Sequence, residues 1–418
     1  MTSLSPVNSA ALFILRRIAD AVHARSQGAS VDMARYLEPP GGPFRQANAS
    51  IIAALIDGAS VTGTARRDLI FATNNAFIDA GRGDDVVMAQ NHATIEAGDG
   101  DDIVSAWNYA TVNGGRGDDD IDVSAYGNVT GGDGDDLIRA NGYATVRGGD
   151  GNDEIETYDY STVTGGDGDD AIKTSGYSTI DAGRGDDVIR GYDHVTVDGG
   201  SGSDRISVYD YAAVTAGDGN DLVQTMGNST IDGGRGDDLI FVADRSATTA
   251  QTAGYATVDA GEGDDVIQAG SQSRLTGGTG DDRIILAGTD TTVVFDPGDG
   301  HDHIQADSAF TVEVGPGYGA GDVEVSHQDG NAVVSFKGST DRLTLDIAEG
   351  VLATLSFADG THLTVTGDQR EKRHAQFILN GSSIQIEAYD STATHYTASW
   401  SEYHERYVAD LRKSVGHL

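Results

Sequence analysis

The residues of this chain that can do chemistry are aspartates, and they come in phase. Asp136 closes the turn GGDGDD that starts at Gly131, and the same turn is rewritten along most of the chain. Its thirteen copies carry Asp85, Asp102, Asp119, Asp136, Asp153, Asp170, Asp187, Asp204, Asp221, Asp238, Asp265, Asp282 and Asp302. The residue before is usually acidic or Asn, as at Asp84, Asp101, Asp118, Asp135, Asn152 and Asp169. From Gly81 to Gly234 the second glycine recurs every 17 residues without a slip. A fixed period of this size reads as a solenoid, whose coils stack each on the next. Stacking places every carboxylate above another, and a bare ladder of that kind opposes folding. Calcium resolves it, because the ion takes about six to eight oxygens from carboxylates and carbonyls in flexible geometry. Glycine turns leave their carbonyls free to face such an ion. Gly-Asp clusters are also good turn formers, but turn forming alone does not require thirteen copies in phase.

Composition narrows the classes. The 418 residues carry a formal charge of −39, with 57 glycines and only 27 Lys and Arg. A chain so acidic repels nucleic acid and looks to cations for neutralisation. It has no cysteine, hence no disulfide and no thiolate metal site. No apolar run is long enough to span a membrane. The N-terminus does not read as a cleavable signal peptide, since no basic region precedes Ala11–Leu15 and Arg16 and Arg17 cut that run short.

The elements that must position the aspartates follow from one unit. Around Gly132 and Gly134, positions suited to positive φ, Ile138 and Ala140 alternate as a short strand after Asp136. Asn141–Gly142 makes a second turn, and Ala144, Thr145 and Val146 alternate again. One unit is therefore strand, turn, strand, turn: a coil of a flattened parallel roll. About fourteen coils at the strand spacing of ~4.8 Å give a rod of roughly 65 Å. The array breaks twice. Ten extra residues fall near Asp244–Ala253 and three around Gly288–Thr291.

The second turn has its own column: His92, Tyr109, Tyr126, Tyr143, Tyr160, Tyr177, His194 and Tyr211, continued by Asn228, Tyr255 and Gln272, with Asn75 in the first turn. Tyr158, Tyr192 and Tyr209 stand two residues earlier. Such a column is either a structural stack or a binding edge for sugar rings or a protein surface. Thr94, Thr111, Thr145, Thr162, Thr179 and Thr196 form a partial threonine column beside it. An ice-binding face is the minor alternative, opposed by Glu96, Arg147, Asp181 and Asp198 in the next outward position.

The GGxGxDxU signature over residues 80–304 resembles the RTX, or haemolysin-type, calcium-binding repeat. The resemblance implies an all-β parallel β-roll with calcium between successive turns, secretion to the extracellular space through a bacterial type I apparatus, and an uncleaved C-terminal signal. This sequence departs from the family pattern: its period is nine plus eight and the second turn lacks the motif. The expectation is one row of about eleven or twelve calcium ions along one edge.

Four regions are expected. Residues 1–62 form an N-terminal cap with a helix over Asn8–Ala24, a loop at Glu38–Phe44 and an ambiguous apolar run at Ser50–Ile56. Residues 63–305 are the roll, whose first turn keeps Asp68 and Ile70 in phase without the glycines. Residues 306–367 are an antiparallel capping module like those that follow RTX arrays. Residues 368–418 hold the strand-like QFILN and SIQIEAY and a helix over Ser399–Val415, with His395 and His404 as a weak metal pair. No GxSxG, HExxH or phosphate loop with Lys is present. The expected function is a non-catalytic, calcium-dependent structural or adhesive protein; the alternative is a carbohydrate-binding or carbohydrate-modifying protein using the Tyr/His edge. A cell-surface protein is the other partner considered, and the end caps offer a route to oligomers. The RGD tripeptides at Arg82, Arg116, Arg184 and Arg235 are expected to be locked in their turns.

Overall fold

The computed structural model describes residues 50–243 and 255–367, with the backbones of strands Ala375–Asn380, Ser383–Ala388 and Tyr396–Thr397. The expected helices, the Glu38–Phe44 loop, the Asp244–Ala253 insertion and the His395/His404 pair lie outside the described residues.

Alternation decides the architecture. In Leu137–Ala140 the inward Ile138 and Ala140 are buried, while in Thr145–Asp150 Val146 takes that role. The leading strand pairs in parallel with Glu154–Thr157, Ile138 facing Ile155, and the trailing strand with Thr162–Asp167, Val146 facing Val163. Repeated, this gives a parallel β-solenoid of about 15 coils and two long sheets, as the 17-residue period predicts. The core between them is two side chains thick. Ile121, Ile138, Ile155, Ile172, Ile189 and Ile206 rise up one wall, opposite Val129, Val146, Val163, Ile180, Val197 and Val214. Each buried isoleucine contributes about 2 kcal/mol relative to exposure, so a one-residue slip that turned a wall outward would forfeit the core. The only helix among the described residues is a single 3-10 turn, Ala320–Asp322.

Two glycines make the aspartate corner. Gly132 and Gly134 have φ of 137° and 132°, and a Cβ built on Gly132 would collide with the Gly115 carbonyl oxygen of the coil before. The register is kept across both breaks in the array. Leu239–Ala243 pairs directly with Val266–Ala269, and Arg283–Leu286 with His301–Ala306.

The ends differ from expectation. The roll begins a coil earlier than residue 63: Ser50–Ala54 pairs in parallel with Asp68–Ala72, and Ser60–Thr64 with Phe77–Gly81. The ambiguous run at Ser50 is thus a strand, with Ile52 and Ala54 packed on the core. At the other end the strands are not all antiparallel. Arg342–Ile347 and Leu352–Phe357 add one more parallel coil, on His301–Ala306 and Phe310–Val314. Only then do antiparallel strands cover the sheets: Val323–Gln328 with Asn331–Phe336 on one, and His362–Thr366 on the other. Phe336, stacked between Phe295 and Tyr318, closes that end of the core. Leu69, Phe71, Val86 and Met88 alternate with core residues and are buried all the same, so the outer side of the first coils is not a solvent face.

Candidate metal-binding turns and the opposite aromatic edge

The 17-residue register brings all thirteen candidate aspartates into one row at one corner, each at most 2% exposed. Their geometry is repetitive. The Asp119 backbone N–H donates to Asp136 Oδ1 at 2.8 Å, and the Asp136 N–H donates to Asp153 Oδ1 at 2.9 Å. The chain of bonds continues across both breaks, from Asp238 to Asp265 at 2.7 Å and from Asp282 to Asp302 at 3.3 Å. One carboxylate oxygen per coil is therefore satisfied. The other is not: Oδ2 of Asp85, Asp102, Asp119, Asp136, Asp153, Asp170, Asp187, Asp204, Asp221, Asp238, Asp265 and Asp282 is buried without a hydrogen-bond partner. Buried polar atoms are normally paired, and an orphan calls for a reason such as an ion.

The electrostatics say the same. Burial pushes the carboxyls of Asp119, Asp187, Asp238 and Asp282 up to about 8 and that of Asp302 up to about 9. It pushes Asp85, Asp136, Asp170, Asp221 and Asp265 up to about 7. Asp102, Asp153 and Asp204 rise to about 6. In the large majority the N–H bond from the preceding coil partly offsets this, and neighbouring carboxylates push further up; at Asp302 the Asp282 charge outweighs that bond. Without a cation the row resists ionising at neutral pH.

The surroundings fit a hard cation with carbonyl donors. A Cβ on Gly131 would run into Asp136 Oδ2 and the Gly148 carbonyl oxygen, and Gly148 and Gly165 repeat the arrangement. Beside Asp119, Asp136, Asp153, Asp170, Asp204 and Asp238 the space is thus lined by a backbone oxygen. Among the described residues no three carboxylate or imidazole side chains converge on one point. An ion here would draw most of its donors from carbonyls. Ala80, Ala97, Ala182, Ala216 and Ala260 stand where Gly131 does, so the space is not equally open in every coil.

The first turn serves as an internal control. Asp68 heads the same ladder, its own N–H donating to Asp85 Oδ1 at 2.6 Å. Both its oxygens are taken: Thr64 donates its N–H to Oδ2 at 2.5 Å and its hydroxyl to Oδ1 at 3.2 Å. Where Thr64 stands in place of the second glycine and donates both its N–H and its hydroxyl, no carboxylate oxygen is left over.

Three further ladders escaped the sequence reading. The aspartates one residue earlier bond in the opposite sense, with the Asp135 N–H donating to Asp118 Oδ1 at 3.0 Å and the Asn152 N–H to Asp135 Oδ1 at 2.8 Å. The arginines of the RGD tripeptides are held by acids of adjacent coils: Arg116 by Asp99 and Asp133, Arg184 by Asp167, and Arg235 by Asp218 and Glu262. At the opposite corner Asn108 donates to Asn91, and Asn91 to Asn74. Counting in steps of 17 aligns each set and would have found them.

No protein-family model matches the chain, and no curated protein matches it either.

The candidate ligand edge is also assembled as a row. His92, Tyr109, Tyr126, Tyr143, Tyr160, Tyr177, His194 and Tyr211 stack with ring centroids 4.6–5.2 Å apart. Tyr192 and Tyr209 stack beside them at 5.2 Å. The rings cover one another's faces, as a structural stack requires, so a sugar could meet only ring edges and hydroxyls along the row. All eight residues have positive φ, between 55° and 62°. Sequence reasoning missed this, although Asn75 and Asn228, residues that tolerate left-handed backbone, hold the same corner.

Proposed function

We propose that the chain is an RTX-type protein that binds calcium along its aspartate corner, folds on meeting it outside the cell, and then acts as a non-catalytic structural or adhesive rod. The observation that carries the reading is the row of twelve buried, unpartnered Asp Oδ2 atoms, with backbone carbonyls close by in six of the coils. When bound, calcium supplies positive charge that lets neighbouring carboxylates stay ionised together. The aspartates from Asp85 to Asp302 would hold the row, with carbonyls of the flanking glycines completing each set. The secretion and family assignments rest on the repeat motif. Among the described residues no helix is long and apolar enough to cross a membrane.

The chain's own groups then explain a folding trigger. At neutral pH a compact metal-free roll gathers carboxylates that burial disfavours. An ion bound only by the native state adds about 2.7 kcal/mol when present at a hundred times its dissociation constant, and a row of such sites adds cooperatively. A roll that folds only where calcium is millimolar would be drawn outward during export. The test is a circular-dichroism titration at neutral pH with metal counting on the folded protein. The β signal should appear with calcium, with about eleven or twelve ions bound. A full β signal in excess chelator would overturn the proposal.

A further inference from the structure

The corner opposite the aspartates holds aromatic rings in a conformation they do not favour. Left-handed backbone at a bulky residue is strained. A stacked aromatic pair offsets that strain without much surplus. Asn75 and Asn228 occupy the corner with φ of 58° and 62°, and asparagine takes that conformation with little strain. Eight successive coils nevertheless carry Tyr or His there, and the tyrosines are 47–57% exposed. Stability of the coil does not account for that choice. Exposed rings held in strained backbone read as a surface built for contact.

What the edge presents limits what it can contact. Ring faces are taken up by the rungs above and below, so the outward parts are ring edges and phenol hydroxyls. The exposed hydroxyls of Thr111, Thr145, Thr162, Thr179 and Thr196 run alongside. Each corner comprises five residues, from Gln90–Thr94 to Tyr209–Ala213. Across the eight corners there is no Lys or Arg, while Asp159, Asp193 and Asp210 add negative charge. Polyanions are repelled there. A protein partner would need a broad apolar centre, and a narrow line of rings, two wide only where Trp107, Tyr158, Tyr192 and Tyr209 flank it and with its faces covered, offers little of one. Every coil keeps the same register, and the ladder runs for about 34 Å in seven steps.

We propose that this edge binds an uncharged, extended polysaccharide lying along the roll axis, one sugar unit to a rung. In extended β-linked chains successive pyranose rings advance by nearly the rung spacing while turning over about the chain axis, so the same hydrogen bonds can recur at every second coil. Each contact is weak, and repetition along the chain supplies the avidity. The inference deepens the adhesive reading above and rests on the roll being folded.

The test is affinity electrophoresis of the full chain with calcium, in gels holding mixed-linkage β-glucan, dextran or carboxymethylcellulose. Retardation is expected in the neutral β-glucan and absent in the anionic gel. The double variant Tyr143→Asn/Tyr160→Asn keeps a residue suited to the corner, and it should weaken retention at least tenfold. Circular dichroism on the same samples separates loss of binding from loss of fold, and so from failure of the calcium proposal. No retention of a folded protein by the neutral β-glucan, or retention unchanged in the variant, overturns the inference. Ladder-dependent dimerisation in sedimentation, without glucan binding, would instead assign the edge to a second copy and equally overturn it.

Discussion

Replacing Asp136 by Asn should change the sign of its effect with calcium. The carbonyl oxygen of the new side-chain amide can still accept the Asp119 N–H, as Asp136 Oδ1 does at 2.8 Å. The amide nitrogen replaces the unpartnered Oδ2 and places a donor where the Gly148 carbonyl oxygen also lies. Without metal, burial pushes the Asp136 carboxyl up from 3.8 to about 7. Its ionisation at pH 8 then costs the fold ~4 kcal/mol at face value, and about 2 kcal/mol after allowing for solvent screening at the turn. Removing the charge should stabilise the metal-free roll by that smaller amount. In millimolar calcium the same change deletes a carboxylate from the ion row. Loss of one ion held at a hundred times its dissociation constant destabilises by about 2.7 kcal/mol. Urea midpoints measured in chelator, with an osmolyte added to keep both proteins folded at the start, and again in calcium, give the two signs. If Asp136→Asn stabilises equally in both conditions, no cation is bound at this turn.

Two further outcomes follow from the same corner. The row's carboxyls lie at about 6 to 9 in the metal-free fold against 3.8 unfolded, so the stabilisation from their neutral forms is complete below the unfolded value and is lost as pH rises through 6 to 9. In chelator, circular dichroism should therefore show β structure growing as pH falls from 8 toward 4, and a flat profile would count against the burial of these groups. Gly131→Ala should cost about 1 kcal/mol or less, since alanine holds that step in five coils, whereas Gly132→Ala, at φ 137° and against the Gly115 carbonyl, should cost several times more. Thermal melts in calcium compare them, and equal losses would refute the assigned backbone.

Legibility in the sequence tracked repetition. The period of 17 fixes which residues share a wall, which is why Ile138 and Val146 could be placed inward from the sequence alone. The same period located the aspartate row. It could not tell which oxygen of each carboxylate would be satisfied, because that depends on the lateral offset between coils, which lets the Asp119 N–H reach Asp136 Oδ1. Nor could it show the ends. There the glycines vanish, and what remains is ordinary alternation, as in Ser50–Ala54 and Arg342–Ile347, which fits a parallel coil or an antiparallel hairpin equally well. The aromatic column was legible as a stack from the same period, and its rings do stack, whereas the left-handed backbone beneath them was not.

The two corners differ in backbone as well as in side chains, and this explains why only one is suited to metal. At the aspartate corner two glycines with positive φ sit close beneath the previous coil, and a carboxylate oxygen is left over. At the aromatic corner a single residue turns the chain, and its N–H is taken by the next coil: Tyr143 donates to the Asp159 carbonyl at 2.9 Å and Tyr160 to that of Gly176 at 3.1 Å. No side-chain oxygen at Tyr143 or Tyr160 is orphaned in the core. The shorter half of the repeat has the residues to close a turn and none to spare for a second cage. On the proposed reading, folding and contact fall on opposite edges, separated by the isoleucine and valine walls. Substitutions on well-separated edges act nearly additively. Tyrosine-to-asparagine changes should therefore leave the calcium midpoint of folding where it is, and a shifted midpoint in a circular-dichroism titration would refute the proposed separation.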